Sequence, residues 1–276
     1  MLGIIGVGLI GGSIGLGARR SGQFGLILGA GRDTGNLAKA KSLGCIDESH
    51  TDLAAIARRA DVLVFCTPVD QIAAQILSIA DQCRPGTLIT DAGSTKAEIV
   101  AQVEEDLPSH VDFVGAHPLA GSEKRGVEHA RADLFDNRLT VITPTHRTSS
   151  PAESRCEEFW KSLGSRVARL SPEKHDRALA LTSHLPHLLA AALAGILPAE
   201  LHEFVATGFR DTTRVAAGDP ALWTPIFLQN RLHLCESAHQ LTACLIEFSK
   251  ALIAADESTV ARMLSEGKKV RDDLGS

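Results

Sequence analysis

The stretch GVGLIGGS (residues 6–13) places Gly6, Gly8 and Gly11 at G-x-G-x-x-G spacing, directly after an apolar run and at the head of a helical pattern. In such a strand–turn–helix the first glycine allows the tight bend. The second lets a pyrophosphate approach the backbone, and the third lets helix and strand pack closely. The helix amino end, from Leu9 and Ile10 onward, then turns N–H groups toward the phosphates. Three spaced glycines alone would serve a structural turn equally well. The strand before them and the helix after them make dinucleotide binding the stronger expectation.

Outward from that turn, β-rich runs alternate with amphipathic stretches: LGIIGVG (2–8), GLILGAG (25–31), DVLVFCTP (61–68), TLITDAGS (87–94), DFVGAH (112–117), LTVITP (139–144) and RVARL (166–170). Helical patterns such as VDQIAAQILSIADQC lie between most of them. The alternation predicts an α/β fold with a doubly wound, mainly parallel sheet whose ligands bind beyond the carboxyl ends of the strands. After Ser171 the β-like runs cease and the pattern is helical to the end. Two domains are therefore expected, residues 1–171 and an all-helical 172–276. GDPALWTP opens a helix with Asp219 as N-cap and Pro220 at its first position, expected to run to about residue 255. Leu234, Ala238, Leu241, Leu245, Phe248 and Leu252 form an apolar seam on it, read either as an intrachain core or as a homodimer interface.

Composition narrows the function. Of 276 residues, 44% are hydrophobic and 22% charged, with net charge -5, so neither nucleic acid nor a membrane is an expected partner. Six cysteines show no C-x-x-C or metal-finger spacing, which predicts buried, reduced thiols, a cytoplasmic protein and no metal site. The apolar, glycine-rich N-terminus lacks the basic flank and cleavage site of a signal peptide, and no run is expected to span a membrane. The chain contains no tyrosine, which excludes a tyrosine acid/base.

For NAD, an acidic residue should end the second strand about 20 residues beyond the glycines. Gly31 stands there, followed by Arg32 and Asp33. Glycine removes repulsion of a 2′-phosphate and the guanidinium can pair with it, which favours NADP. Asp33 keeps NAD open as the alternative. Cys66, Thr67 and Pro68 end the next strand, where they either touch the cofactor or simply open a helix.

His117 lies at a strand's carboxyl end before Pro118, where the strand should stop. Oxidising an alcohol by hydride transfer needs a proton acceptor, and near neutral pH histidine is the default. Ser94, in DAGSTK (91–96), could hydrogen-bond it, with Lys96 one step beyond; taken alone, Ser94 is also a good helix cap. Pro186 in SHLPH frees the carbonyl of Thr182 and kinks the helix, gathering Ser183, His184 and His187 on one broad face.

GVGLIGGS, DAGSTK, GAHPLAGSEKRG, LFDNRLTVITP, EKHDRALALTSHLPH, GFRDTTR and DPALWTPI occur in an order that resembles the prephenate/arogenate dehydrogenases of tyrosine biosynthesis, over nearly the whole chain. The resemblance implies a Rossmann-type sheet and oxidative decarboxylation of a 4-hydroxycyclohexadiene carboxylate. It assigns His117 as catalytic, with Ser94 holding it near the cofactor beside Gly93. It further implies Arg214 as the ligand of the ring carboxylate, with Arg210 adding positive potential. Ser183, His187, His184 and His175 would line the substrate pocket, with Trp223 near it. Neither a module before Met1 nor a regulatory domain after residue 276 is expected. Two other readings remain: a β-hydroxyacid dehydrogenase of the same plan, which would use a lysine where this helix offers His184 and His187, and a non-catalytic NADPH-sensing module.

Overall fold

The computed structural model describes residues 1–121 and 124–275; Ser122 and Glu123 of GAHPLAGSEKRG, and Ser276, lie outside the described residues. The first part of the chain runs β1 (Leu2–Ile5), α1 (Leu9–Ser21), β2 (Ile27–Ala30), α2 (Thr34–Ser42), β3 (Glu48–His50), α3 (Leu53–Ala57), β4 (Val62–Phe65) and α4 (Val69–Ala80). It continues through β5 (Leu88–Asp91), α5 (Ala97–Asp106), β6 (Asp112–Pro118), β7 (Leu139–Thr143), α6 (Ser150–Ser162) and β8 (Arg166–Arg169). The strands form one sheet in the order β3-β2-β1-β4-β5-β6-β7-β8. Neighbours are parallel except β6 and β7.

Period-2 alternation explains the two-faced core. Ile4 and Val64 point into one buried cluster with α1, α2 and α6, while Ile5 and Phe65 point into another with α3, α4 and α5. Strand order reverses between β1 and β4, which opens a crevice at their carboxyl ends. β3 has no counterpart among the runs read from sequence. Its residues, Glu-Ser-His, carry no apolar signal, and it is held at the sheet edge by pairing with β2.

β6 does not stop before its proline. Leu119 N–H donates to the Leu139 carbonyl on the β7 side, so by alternation the nitrogens of Ala116 and Pro118 face β5, whose ladder has ended at Val114. The Ala116 N–H is met by the Asp91 carboxylate at 3.0 Å, and Pro118 has no N–H to be met. Proline is therefore tolerated as the last residue of the strand.

The second part is helical: α7 (Pro172–Leu179), a π segment at Ala180–His184, α8 (Leu185–Gly195), α9 (Thr207–Thr213), α10 (Pro220–Gln229), α11 (Arg231–Ile253) and α12 (Glu257–Asp273), with short 3-10 turns around α9. The single helix expected from Asp219 to about residue 255 is two, broken at Asn230, whose backbone leaves helical geometry and whose side chain bonds the Asp176 carbonyl and His184. The kink expected at Pro186 takes the form of the π segment. The wide turn ends just before the proline, with the Leu185 N–H reaching back to the Ala180 carbonyl. The span Pro172–Gly195 is long and apolar enough to cross a bilayer by length and composition, contrary to the reading of the sequence. Here it packs on α5 and α11 and buries His175, Asp176, His184 and His187.

The helical part docks on the sheet through named contacts. Ile226 joins the core cluster under α4 and α5. Thr95 donates to Gln229 at 2.5 Å, and Gln229 donates to the Val69 carbonyl at 3.2 Å. Most of α11 remains exposed, including Leu245, Ile246, Leu252 and Ile253. Cys235 and Cys244 are exposed on that helix, against the expectation of uniformly buried thiols.

Candidate active site

The glycine turn is built as its spacing requires. Gly6 has φ +90, and a Cβ there would lie 2.9 Å from the Cys66 carbonyl carbon. A Cβ on Gly11 would lie 2.2 Å from the Gly6 carbonyl oxygen. A Cβ on Gly8 would meet nothing within 4 Å, because that position faces a cavity of about 1060 Å³ between the two parts of the molecule. Leu9 and Ile10 line the same cavity. α1 has no side-chain cap and no acidic residue in its first turn, so its amino end is left for an anion. These residues fit the diphosphate of a dinucleotide.

The rest of the wall comes from strand ends and from the helical part. Cys66, Thr67 and Pro68 follow β4, Gly93 and Ser94 follow β5, and His117 stands on β6. Ser183, His187, Arg214 and Trp223 close it from the other side, with Lys124 and Arg125 at its margin. Histidine, arginine and glycine turn thus share one cavity, with His187 stacked on Trp223 at 3.7 Å between ring centroids.

Other expected positions lie elsewhere. Gly31, Arg32 and Asp33 sit outside the cavity wall, past the end of β2, which adjoins the turn through Gly6 N–H to the Ala30 carbonyl. Asp33 caps α2 by accepting from the Asn36 N–H, and the Asn36 side chain donates to the Val7 carbonyl at 2.7 Å. Arg210 is exposed on α9, outside the wall, because α9 ends before the turn that carries Arg214. His175 and His184 are buried and do not line the cavity; His184 lies against Asn230, while Ser183 faces the cavity.

Ser94 does not hold His117: among the described residues the two form no hydrogen bond. The DAGSTK loop is wound around the Asp91 carboxylate, which accepts the Gly93 and Ala116 N–H groups and pairs with the fully buried Lys96 ammonium. Burial drives the Lys96 pKa down against the pull of Asp91. Nor does Ser94 cap α5. Asp176 does so from the helical part, accepting Lys96 N–H at 2.8 Å and Ala97 N–H at 2.9 Å.

His117 instead bonds His175, Nδ1 to Nε2 at 2.9 Å, and His175 Nδ1 bonds Asp176 at 2.7 Å. Burial, followed by the neighbouring His175, Lys96 and His184, holds the His117 imidazole well below the ordinary histidine value. Burial also lowers His175, and it pushes His184 down to about 4. His117 is thus a neutral base, 9% exposed, opening onto the cavity. Asp176 was invisible to sequence reasoning because an acid in the first turns of a helix reads as surface. It stands in the charged run EKHDR, where nothing sets it apart from Glu173, Lys174 and Arg177.

A dinucleotide held at the amino end of α1 would extend toward the carboxyl ends of β4 to β6, where the neutral His117 imidazole stands. That combination defines the class, a nicotinamide-dependent dehydrogenase with a doubly wound domain and a helical partner domain. Comparison with known proteins narrows it. Residues 14–169 match the family model described as prephenate dehydrogenase, nucleotide-binding domain, and residues 171–266 match prephenate dehydrogenase, dimerization domain. The chain belongs to the prephenate dehydrogenase family of NAD(P)-dependent oxidoreductases. It is 32% identical to prephenate dehydrogenase of Bacillus subtilis, covering 98% of this chain and 75% of that protein. It is also 32% identical to cyclohexadienyl dehydrogenase of Zymomonas mobilis, over 84% and 82% of the two chains. The crystal structure of prephenate dehydrogenase from Aquifex aeolicus with hydroxyphenyl propionate and NAD+ superposes with TM-score 0.93 and 31% identity, covering 99% of this chain and 97% of that one. Synechocystis arogenate dehydrogenase gives 0.84 and 28%, covering 99% of both.

Proposed function

We propose that this protein catalyses the NADP-preferring oxidative decarboxylation of prephenate or arogenate in L-tyrosine biosynthesis, as a cytoplasmic homodimer with a dinucleotide-binding domain (1–171) and a helical substrate domain (172–276). The observation that carries the reading is the convergence of His117, Arg214 and the glycine turn on one cavity. The bound nicotinamide would supply the hydride acceptor. His117, neutral at Nε2, takes the proton of the 4-hydroxyl as hydride leaves the same ring carbon. Arg214 grips the ring carboxylate with charge-assisted hydrogen bonds. That carboxylate departs as carbon dioxide and its bonding pair completes the aromatic ring. His187 and Ser183 orient the ring from the facing wall, and the apolar wall of Leu9, Ile10 and Leu222 limits water near the hydride path.

NADP is favoured by Gly31 and the exposed Arg32 past β2, and by the use of the Asp33 carboxylate as a helix cap. Dimerisation through the helical domain is supported by the apolar side chains left exposed on α11 and by the description of the family model matched there. The deciding experiment measures initial rates on prephenate and arogenate with NADP and NAD, for wild type and His117→Asn. Turnover of one substrate with NADP ahead of NAD is expected, with His117→Asn slowed at least about a hundredfold. No turnover of either substrate, or an active His117→Asn, overturns the proposal.

A further inference from the structure

Behind His117 the wall is a chain of three buried groups from the two domains. His117 on β6 reaches His175 on α7, and His175 reaches Asp176. His175 is 0% exposed and Asp176 2%. Asp176 accepts at both oxygens from backbone N–H groups at the head of α5, so it is held as a carboxylate and has only acceptor sites to offer. Burial opposes its ionisation, but the bonds from His175 and from the two N–H groups outweigh burial and hold its pKa below the ordinary value. Lys96, Asp91 and His184 are the other titratable groups acting on the two imidazoles.

With both imidazoles neutral, as their burial favours, the donors and acceptors along this chain fit in one way. An ionised Asp176 requires a proton on His175 Nδ1. A neutral His175 then offers only a lone pair at Nε2, and His117 must donate to it from Nδ1. The lone pair of His117 is left on Nε2, the nitrogen with no partner among the described residues. A serine in that role would not discriminate, because a hydroxyl both donates and accepts.

We propose that His175 and Asp176 are positioning residues that fix the proton of His117 on Nδ1, and that this tautomer is set only when the helical domain is docked, because the carboxylate that orients His175 is the one that caps α5 across the interface. The proposal rests on the reading of His117 as proton acceptor. It gives the conjunction of the two domains a chemical consequence beyond closing the cavity.

The test uses the cofactor-loaded full chain. In wild type, 15N chemical shifts of the imidazoles should report His117 protonated on Nδ1 at neutral pH. His175→Leu should lower kcat about 30- to 100-fold, with KM for substrate and the Kd for cofactor within about threefold, since a base in the wrong tautomer is lost while binding is kept. His175→Gln, whose Oε1 can accept from His117 Nδ1–H, should recover most of that loss. His117 protonated on Nε2 in wild type overturns the proposal. So does a His175→Leu enzyme with kcat within threefold of wild type, or a folded His175→Gln no better than His175→Leu. If His175→Leu does not fold, the shifts in wild type and the rate of His175→Gln decide. An active His117→Asn alongside the expected shifts would remove the proton-acceptor role and leave the tautomer assignment standing.

Discussion

The basicity of His117 is set by what surrounds it. A histidine at its ordinary value would be partly charged near neutral pH, and a charged imidazole cannot accept the substrate's proton. Burial holds this one down, so it remains a base as pH falls until the depressed value is reached. Titration of kcat should therefore show an acid limb below about pH 6.5, with full rate retained above it. Because His117 and His175 are hydrogen-bonded, that limb belongs to the pair. A limb centred above pH 7 would contradict the burial argument. Gly218 poses a steric question at the same scale. A Cβ there would lie 2.6 Å from Trp223 Nε1 and 2.7 Å from His187 Cε1, so Gly218→Ala must displace the stacked pair that lines the cavity. Its kcat/KM should fall about tenfold or more, carried mainly by KM, while cofactor affinity is kept.

At the scale of elements, the loop from β5 to α5 is organised around one carboxylate. Asp91 takes two backbone N–H groups and the Lys96 ammonium, all of them buried. Asp91→Ala would leave a buried cation and two buried donors unmet. We expect a loss of about 3–5 kcal/mol in urea unfolding, with the domain still cooperative. A change under 1 kcal/mol would mean that water reaches the pair. The π segment is the second element with a consequence. Ser183 faces the cavity and His184 faces Asn230 because one wide turn offsets the register, which the regular helical spacing read from sequence could not supply.

At the scale of the molecule, α11 ends with Leu252 65% and Ile253 85% exposed, a poor solvent face for a single chain. If two copies cover it, Ile253→Asp should convert the dimer to monomer in light scattering while the cofactor is still bound. A wild type that is already monomeric would remove dimerisation from the proposal. Much of the architecture was legible before any coordinates. The glycine turn, the strand–helix alternation, the switch to helix after Ser171 and the Asp219 cap are local patterns, and local sterics and hydrogen bonding decide them. The cavity wall was legible for a similar reason: carboxyl ends of parallel strands meet along one edge, so residues such as Thr67, Ser94 and His117 had to be neighbours. What holds His117 was not legible. His175 lies 58 residues away on another domain, and Asp176 completes the chain only because α7 docks against the head of α5. Periodicity and turn chemistry act within a few residues and were settled by the sequence itself. Hydrogen-bond partners across the interface, the break at Asn230 and the depressed basicity of the histidines depend on burial and on which distant groups meet, and only the tertiary structure decides that.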